Sequence, residues 1–161
     1  MEKNKETKRM VIDKDKDSAK VVKEVLRKVD LKKGAVILLS GDFGVGKTYF
    51  AKEIAKQLGF KDGVCSPSFT ICREYCRKKI FSQKGIDKMV HYDLYRLKEG
   101  REVTELNIFG EWKQGCLMVI EWPNLMKESL KKLRDVLIVE IEIERRDNLE
   151  REFSIHYYEH L

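Results

Sequence analysis

Apolar residues in this chain change period several times, and each change marks an element. From Ala19 onward, Val22, Val25, Leu26 and Val29 recur at helical spacing, which predicts one apolar helix face ending near Asp30. The polar stretch 13–18 before it offers Asp17 or Ser18 as N-cap. Residues 35–40, Ala-Val-Ile-Leu-Leu-Ser between Gly34 and Gly41, are too continuously apolar for a one-sided strand and predict one buried on both faces. Residues 49–58 return to the helical period, with Phe50, Ile54 and Leu58 on one face and Gly59 as a stop.

Beyond Gly59, Pro67 biases Ser66 towards extended backbone. Residues 70–75 alternate as a strand, and residues 88–93 form its return. The charged stretch 77–88, with Gly85, is the hairpin connection between them. Residues 94–110 read as irregular or helical, with Glu102, Glu105 and Leu106 on a short helix. Residues 115–121 form a second fully apolar strand that ends in Glu121 and is stopped by Trp122-Pro123. A short helix is expected over 125–133. Residues 136–143 begin apolar and then alternate with charge, as a strand covered on one face does. A turn at 145–148 leads to a final strand at 153–157. At the other end, Met10-Val11-Ile12 reads as a short strand and residues 1–9 as a frayed tail. No repeat, low-complexity segment or linker interrupts residues 1–161, so one domain is expected.

Between the first buried strand and its helix lies Gly41-Asp42-Phe43-Gly44-Val45-Gly46-Lys47-Thr48, which fits G-x-x-x-x-G-K-[ST], the phosphate-binding P-loop. The glycines allow tight turning and close approach to an anion. The turned backbone aims successive N–H groups inward, and the helix N-terminus adds its positive dipole end. Lys47 supplies charge for the β- and γ-phosphates, and the Thr48 hydroxyl suits a Mg²⁺ ion bridging them.

Composition narrows the setting. The chain has 161 residues, enough for one sizeable core, and 37% of them are charged, which marks a globular rather than a membrane protein. No apolar run nears the roughly 20 residues of a bilayer span, and residues 1–9 lack the apolar core of a secretory signal, so a cytoplasmic protein is expected. A net charge of +6 permits contact with nucleic acid or an acidic partner, although the basic residues are spread along the chain. Cys65, Cys72, Cys76 and Cys116 form no C-x-x-C pair and are expected to be reduced, partly buried small hydrophobes.

A P-loop enzyme needs a strand-end carboxylate to hold its metal. Asp93 follows Met89-Val90-His91-Tyr92, and Glu121 follows Cys116-Leu117-Met118-Val119-Ile120. Both fall at the carboxyl ends of strands, where open α/β sheets bind ligands. Ser66-Pro67-Ser68-Phe69-Thr70 is either a plain Pro turn or a hydroxyl-bearing switch loop that senses the γ-phosphate. His91 shares a strand face with Asp93 and is either structural or proton-handling. Arg96 reads as a surface residue or a partner for a carboxylate or phosphate.

In that order, the P-loop, Ser66-Pro67-Ser68-Phe69-Thr70, Glu74-Tyr75, His91-Tyr92-Asp93-Leu94-Tyr95-Arg96-Leu97 and Ile120-Glu121-Trp122-Pro123 resemble the TsaE (formerly YjeE) family. These are bacterial P-loop ATPases of tRNA threonylcarbamoyladenosine biosynthesis. The resemblance runs from the first helix to Phe153. It implies ATP held by residues 41–48, Mg²⁺ held by Thr48 and Glu121 with Asp93 beside them, and catalytic parts for Lys47, Asp93 and Glu121. It also implies nucleotide contacts from Arg151 and from the first-helix start near Ser18. Switch or partner contacts would come from Ser66, Ser68, Thr70, His91, Tyr95, Arg96 and Trp122. The implied partners are TsaB and TsaD, which carry out the transfer to the adenosine beside the anticodon, with any tRNA contact made through the complex. Ser68 replaces a usual Thr and keeps the hydroxyl. Tyr49 replaces a common second Thr and puts a bulky ring at the helix start.

The fold expected is α/β: a P-loop NTPase-like three-layer sandwich with a mainly parallel sheet and an antiparallel hairpin element. The function expected is a Mg²⁺-dependent ATPase, slow alone and stimulated by partners. The alternatives are a small-molecule kinase, for which no arginine-bearing lid segment is evident, and a nucleotide-dependent binding switch, for which a GTP-reading Asn-Lys-x-Asp motif is missing.

Overall fold

A computed structural model describes residues 2–13, 17–60, 65–76, 85–110, 112–130, 133–146 and 150–160. Seven strands form one sheet: β1 (Glu2–Ile12), β2 (Gly34–Ser40), β3 (Cys72–Cys76), β4 (Lys88–Asp93), β5 (Cys116–Glu121), β6 (Val136–Arg145) and β7 (Arg151–His160). Their order across the sheet is β1-β7-β6-β2-β5-β4-β3. The centre is parallel, through β6/β2, β2/β5 and β5/β4. Antiparallel pairs close both edges, β3/β4 on one side and β6/β7 and β7/β1 on the other. The expected hairpin is thus β3–β4, and a second antiparallel unit stands at the opposite edge.

β2 shows why its sequence is apolar throughout. Ala35, Ile37 and Leu39 face one core and Val36 and Leu38 the other. The first core is roofed by α1 (Ser18–Lys28) and α2 (Lys47–Gln57) through Val21, Val22, Val25, Phe50, Ala51 and Ile54. The second is closed by α3 (Gly100–Glu105), a 3₁₀ turn at Pro123–Leu125 and α4 (Lys127–Leu130), with Val103 and Met126 at its centre. Two cores on either side of one sheet make the three layers.

Residues 2–9, expected to fray, instead belong to β1 and pair with β7 as far as Glu2↔His160. The β7 backbone supplies the hydrogen bonds, and ion pairs Lys8–Glu24 and Lys28–Glu6 tie the strand to α1. β3 begins at Cys72, not at residue 70. Ile71 is left-handed (φ 65°), and its N–H and that of Thr70 bond back to the Pro67 carbonyl, which makes a turn. The helix expected over 125–133 is shorter, because left-handed Trp122 and Pro123 spend the first residues on the 3₁₀ turn. The tip of the β3–β4 connection and residues 147–149 of the last turn lie outside the described residues. None of the four cysteines is disulfide-bonded. Cys116 is buried and Cys72 half-buried, whereas Cys65 and Cys76 are exposed rather than packed. Burial pushes the Cys116 thiol up to about 11, so it stays protonated and unreactive.

Candidate functional site

β2, β4 and β5 run parallel and deliver their carboxyl ends to one edge of the sheet, where the P-loop leaves β2. Gly46 caps α2 in a left-handed conformation (φ 111°). Gly41 (φ 129°) packs so closely on β6 that a Cβ there would lie 2.2 Å from the Ile143 carbonyl oxygen, whereas a Cβ on Gly44 (φ 75°) would meet nothing. Gly41 therefore seats the loop on the sheet, and Gly44 keeps its outer surface open. Gly44→Ala should cost about 1–2 kcal/mol of backbone strain, a fall in melting temperature of roughly 2–8 °C. Gly41→Ala, which adds a backbone clash, should lower it further; thermal unfolding of the two variants gives the comparison.

Facing the loop is a cavity of about 460 Å³ lined by Lys47, Thr48, Ser68, Asp93, Glu121 and Trp122, among others. Asp93 and Glu121 are paired in register on adjacent strands. They face the α2 side, as alternation from Leu117 and Val119 requires. Both are buried, at 4% and 2% exposure, yet they have separate partners. The Thr48 hydroxyl donates to both oxygens of Glu121, at 2.9 and 3.1 Å, and His91 Nε2 lies 2.8 Å from Glu121 Oε1. Asp93 accepts the Tyr95 N–H at 3.1 Å on one oxygen and the Ser68 hydroxyl on the other. Ser68 in turn bonds Ser66 at 2.6 Å, so Asp93 fastens the Ser66–Ser68 loop to β4.

Lys47 is buried and folded back on its own loop. Its ammonium donates to the carbonyls of Gly41 and Asp42 at 2.8 and 2.7 Å, and lies 3.7 Å from the centre of the Trp122 ring. Desolvation pulls its pKa below the ordinary lysine value, against the raising influence of Glu121, Asp93 and Asp42. A polyanion entering the loop would relieve that desolvation with opposite charge.

The structure brings together most of the residues expected at the site. Gly44, Gly46, Lys47, Thr48, Ser66, Ser68, Asp93, Tyr95, Arg96, Glu121 and Trp122 all line the cavity, and so does the exposed Tyr49 ring. Arg151 Nε donates to the Val45 carbonyl at 2.7 Å, which puts it behind the loop beside Gly46. Asp42 contributes its backbone oxygen to Lys47, and buried Val45 anchors the loop in the first core. Three residues lie elsewhere. Ser18 is buried at the start of α1, where the neighbouring Ala19 carbonyl accepts from Gln57 in the last turn of α2, at the opposite end of that helix from Lys47. Thr70 turns its hydroxyl towards the Pro67 carbonyl instead of the cavity. His91 has 0% exposure, so it cannot reach a partner and serves Glu121 instead.

The sequence named Phe43, Tyr95 and Trp122 one by one and Phe69 within its motif, but not that they meet as an aromatic rim. Phe43 and Phe69 are 83% and 86% exposed at the cavity mouth. Phe43 packs on Tyr95, Tyr95 on Trp122, and the Arg96 guanidinium lies over Phe69. Arg145, also unforeseen, donates to the Gly44 carbonyl at 3.4 Å.

A glycine loop between a buried parallel strand and a helix, faced by strand-end carboxylates, defines a P-loop NTPase-like protein. The sequence model of the family described as "Threonylcarbamoyl adenosine biosynthesis protein TsaE" matches residues 12–153. A tRNA threonylcarbamoyladenosine biosynthesis protein TsaE of Rickettsia prowazekii (strain Madrid E) is 36% identical over 79% of this chain and 81% of its own. Its Bacillus subtilis (strain 168) counterpart is 36% identical over 76% and 70%. The crystal structure of Bacillus subtilis YdiB superposes with a TM-score of 0.62 at 25% identity, covering 96% of this chain and 87% of YdiB. The chain belongs to the TsaE family. Among the described residues no helix is long and apolar enough to cross a membrane.

Proposed function

We propose that this protein binds and hydrolyses ATP with Mg²⁺ in the formation of threonylcarbamoyladenosine on tRNA, working with TsaB and TsaD. Family membership supports the pathway. The observation that carries the chemistry is the Thr48–Glu121 hydrogen bond beneath Lys47 at the mouth of the P-loop.

That donor set fits the proposed ligands. Hydroxyl and carboxylate oxygens suit Mg²⁺, which prefers oxygen and keeps waters and substrate phosphates in its shell. Among the described residues no group of three or more His, Cys, Asp or Glu forms a metal cage. Thr48 and Glu121 would hold the ion, which when bound neutralises developing phosphate charge. The loop N–H groups of residues 44–48 would receive the phosphates. Lys47 would exchange two neutral carbonyls for phosphate oxygens. Asp93, with both oxygens engaged by Ser68 and the Tyr95 amide, holds the switch loop in place and ranks second as a metal ligand. Among the described residues that line the cavity the arginine is Arg96, exposed on the rim rather than buried beside Lys47. We therefore infer slow hydrolysis alone and faster turnover when TsaB–TsaD orders the rim.

The test is ATP binding with Mg²⁺ and with EDTA, followed by phosphate release alone and with saturating TsaB–TsaD. The expected result is Mg²⁺-dependent turnover that rises with the partners. Failure to bind ATP would overturn the site, and turnover indifferent to TsaB–TsaD would overturn the partnership. GTP in place of ATP tests the binding-switch alternative.

A further inference from the structure

His91 is the least expected member of the site. It sits in the middle of β4, opposite Val119, not opposite Glu121. Its ring reaches along the strand to Glu121 Oε1 at 2.8 Å. Asp93, which is opposite Glu121 in register, turns instead to Ser68 and the Tyr95 amide. Two buried carboxylates at the same level of adjacent strands repel one another unless each has its own donors. His91 is one of the two side chains that donate to Glu121, and Thr48 is the other.

The second ring nitrogen sharpens the point. His91 Nδ1 is buried and has no hydrogen-bond partner among the described residues. A histidine kept for packing alone would be replaceable by an apolar residue without that desolvation cost. A histidine kept as a structural polar link would ordinarily satisfy both nitrogens. Here one hydrogen bond is made, and it ends on the carboxylate that also holds Thr48. Because a carboxylate only accepts, the Nε2 that faces Oε1 carries a proton.

We propose that His91 is a positioning residue: its Nε2–H fixes the Glu121 carboxylate towards Thr48 and so sets the affinity of the site for a divalent cation without touching nucleotide. The proposal rests on the reading of Thr48 and Glu121 as the Mg²⁺-holding pair. Outer-shell donors of this kind typically change metal affinity roughly ten- to a hundred-fold.

Two variants test it. His91→Gln keeps an N–H donor near the Nε2 position and loses no other hydrogen bond, since Nδ1 makes none. His91→Leu keeps bulk and removes the donor. For each, the Mg²⁺ concentration giving half-maximal binding of a non-hydrolysable ATP analogue is measured, with the affinity for the analogue in EDTA as reference. In His91→Leu the Mg²⁺ requirement is expected to rise roughly ten- to a hundred-fold with the EDTA affinity unchanged, and in His91→Gln to stay near wild type. In the nucleotide-free wild type, imidazole ¹⁵N shifts should report a proton on Nε2. An unchanged Mg²⁺ requirement in His91→Leu, or equal losses in both variants with the EDTA affinity also lost, would make His91 structural only and overturn the proposal. A wild type whose binding ignores Mg²⁺ would overturn the Thr48–Glu121 reading, and this inference with it; that result is separable because it appears before any substitution.

Discussion

Lys47→Ala is expected to weaken ATP binding by roughly 10²–10⁴-fold, the largest loss expected from any single substitution at the site. Contacts from a charged donor contribute about 1.5–3 kcal/mol each, and an ammonium between the β- and γ-phosphates makes two. The ground state supports a value towards the lower end. Lys47 already holds two hydrogen bonds, to Gly41 and Asp42, and a ring contact with Trp122, all of which it gives up on binding. The gain is the difference between neutral carbonyls and phosphate anions in a site that desolvates the ammonium. The same bonds predict a secondary effect: removal of Lys47 takes the pin from the loop, so the melting temperature without nucleotide should fall slightly. Isothermal titration and thermal unfolding of the variant separate the two. Wild-type affinity in Lys47→Ala would refute the phosphate-binding assignment.

How much of this was legible in the sequence depends on how local the cause is. The β2–loop–α2 unit was legible because each part has a short-range signature: apolar on both faces, glycines at fixed offsets, then a 3.6-residue period. β1 was not. Its residues 2–9 are charged and polar, which reads as a solvated tail, and what makes them a strand is the backbone of β7 about 150 positions away. The stop at Trp122-Pro123 was legible, but not the 3₁₀ turn that delays the next helix, for a local reason that pattern does not reveal: Trp122 is left-handed, a conformation rarely adopted by a bulky residue. That kink turns Trp122 over Lys47 and forms the top of the cavity.

The site divides the same way. The loop residues and the two strand-end carboxylates could be named from spacing. Their division of labour could not, because it follows from the β4/β5 register and from which donor reaches which oxygen. The aromatic rim was partly visible as motif letters, Phe43, Phe69, Tyr95 and Trp122, but only the fold gathers residues from four loops around one opening. Ser18 shows the reverse: the family resemblance puts it near the nucleotide, whereas the packing of α1 on the far end of α2 keeps it out of the cavity.

Glu121→Gln should raise the Mg²⁺ requirement for phosphate release by about a hundred-fold or more, at or beyond the upper end of outer-shell effects, since it alters the ligand itself. The amide keeps the size of the carboxylate, and with its oxygen in the Oε1 position it can still accept from both Thr48 and His91; what it loses is the second acceptor, Oε2, that Thr48 also meets. Its NH₂ would face a donor, and the negative charge opposite Lys47 would be gone. Affinity for ATP in EDTA should change much less, because the loop amides and Lys47 are untouched. Asn124→Ala is the control: Asn124 is one turn away but lines a separate cavity on the other side of the sheet, with Glu140 and Tyr158. Asp93→Asn supplies the comparison between carboxylates. It keeps an acceptor for the Tyr95 amide and disturbs the Ser68 contact, so its main consequence should be a looser Ser66–Ser68 loop and slower turnover at saturating Mg²⁺. A Mg²⁺ titration of the three variants beside wild type decides the assignment. If Asp93→Asn shifts the Mg²⁺ requirement and Glu121→Gln does not, the metal belongs to β4 and the Thr48–Glu121 bond is a structural latch.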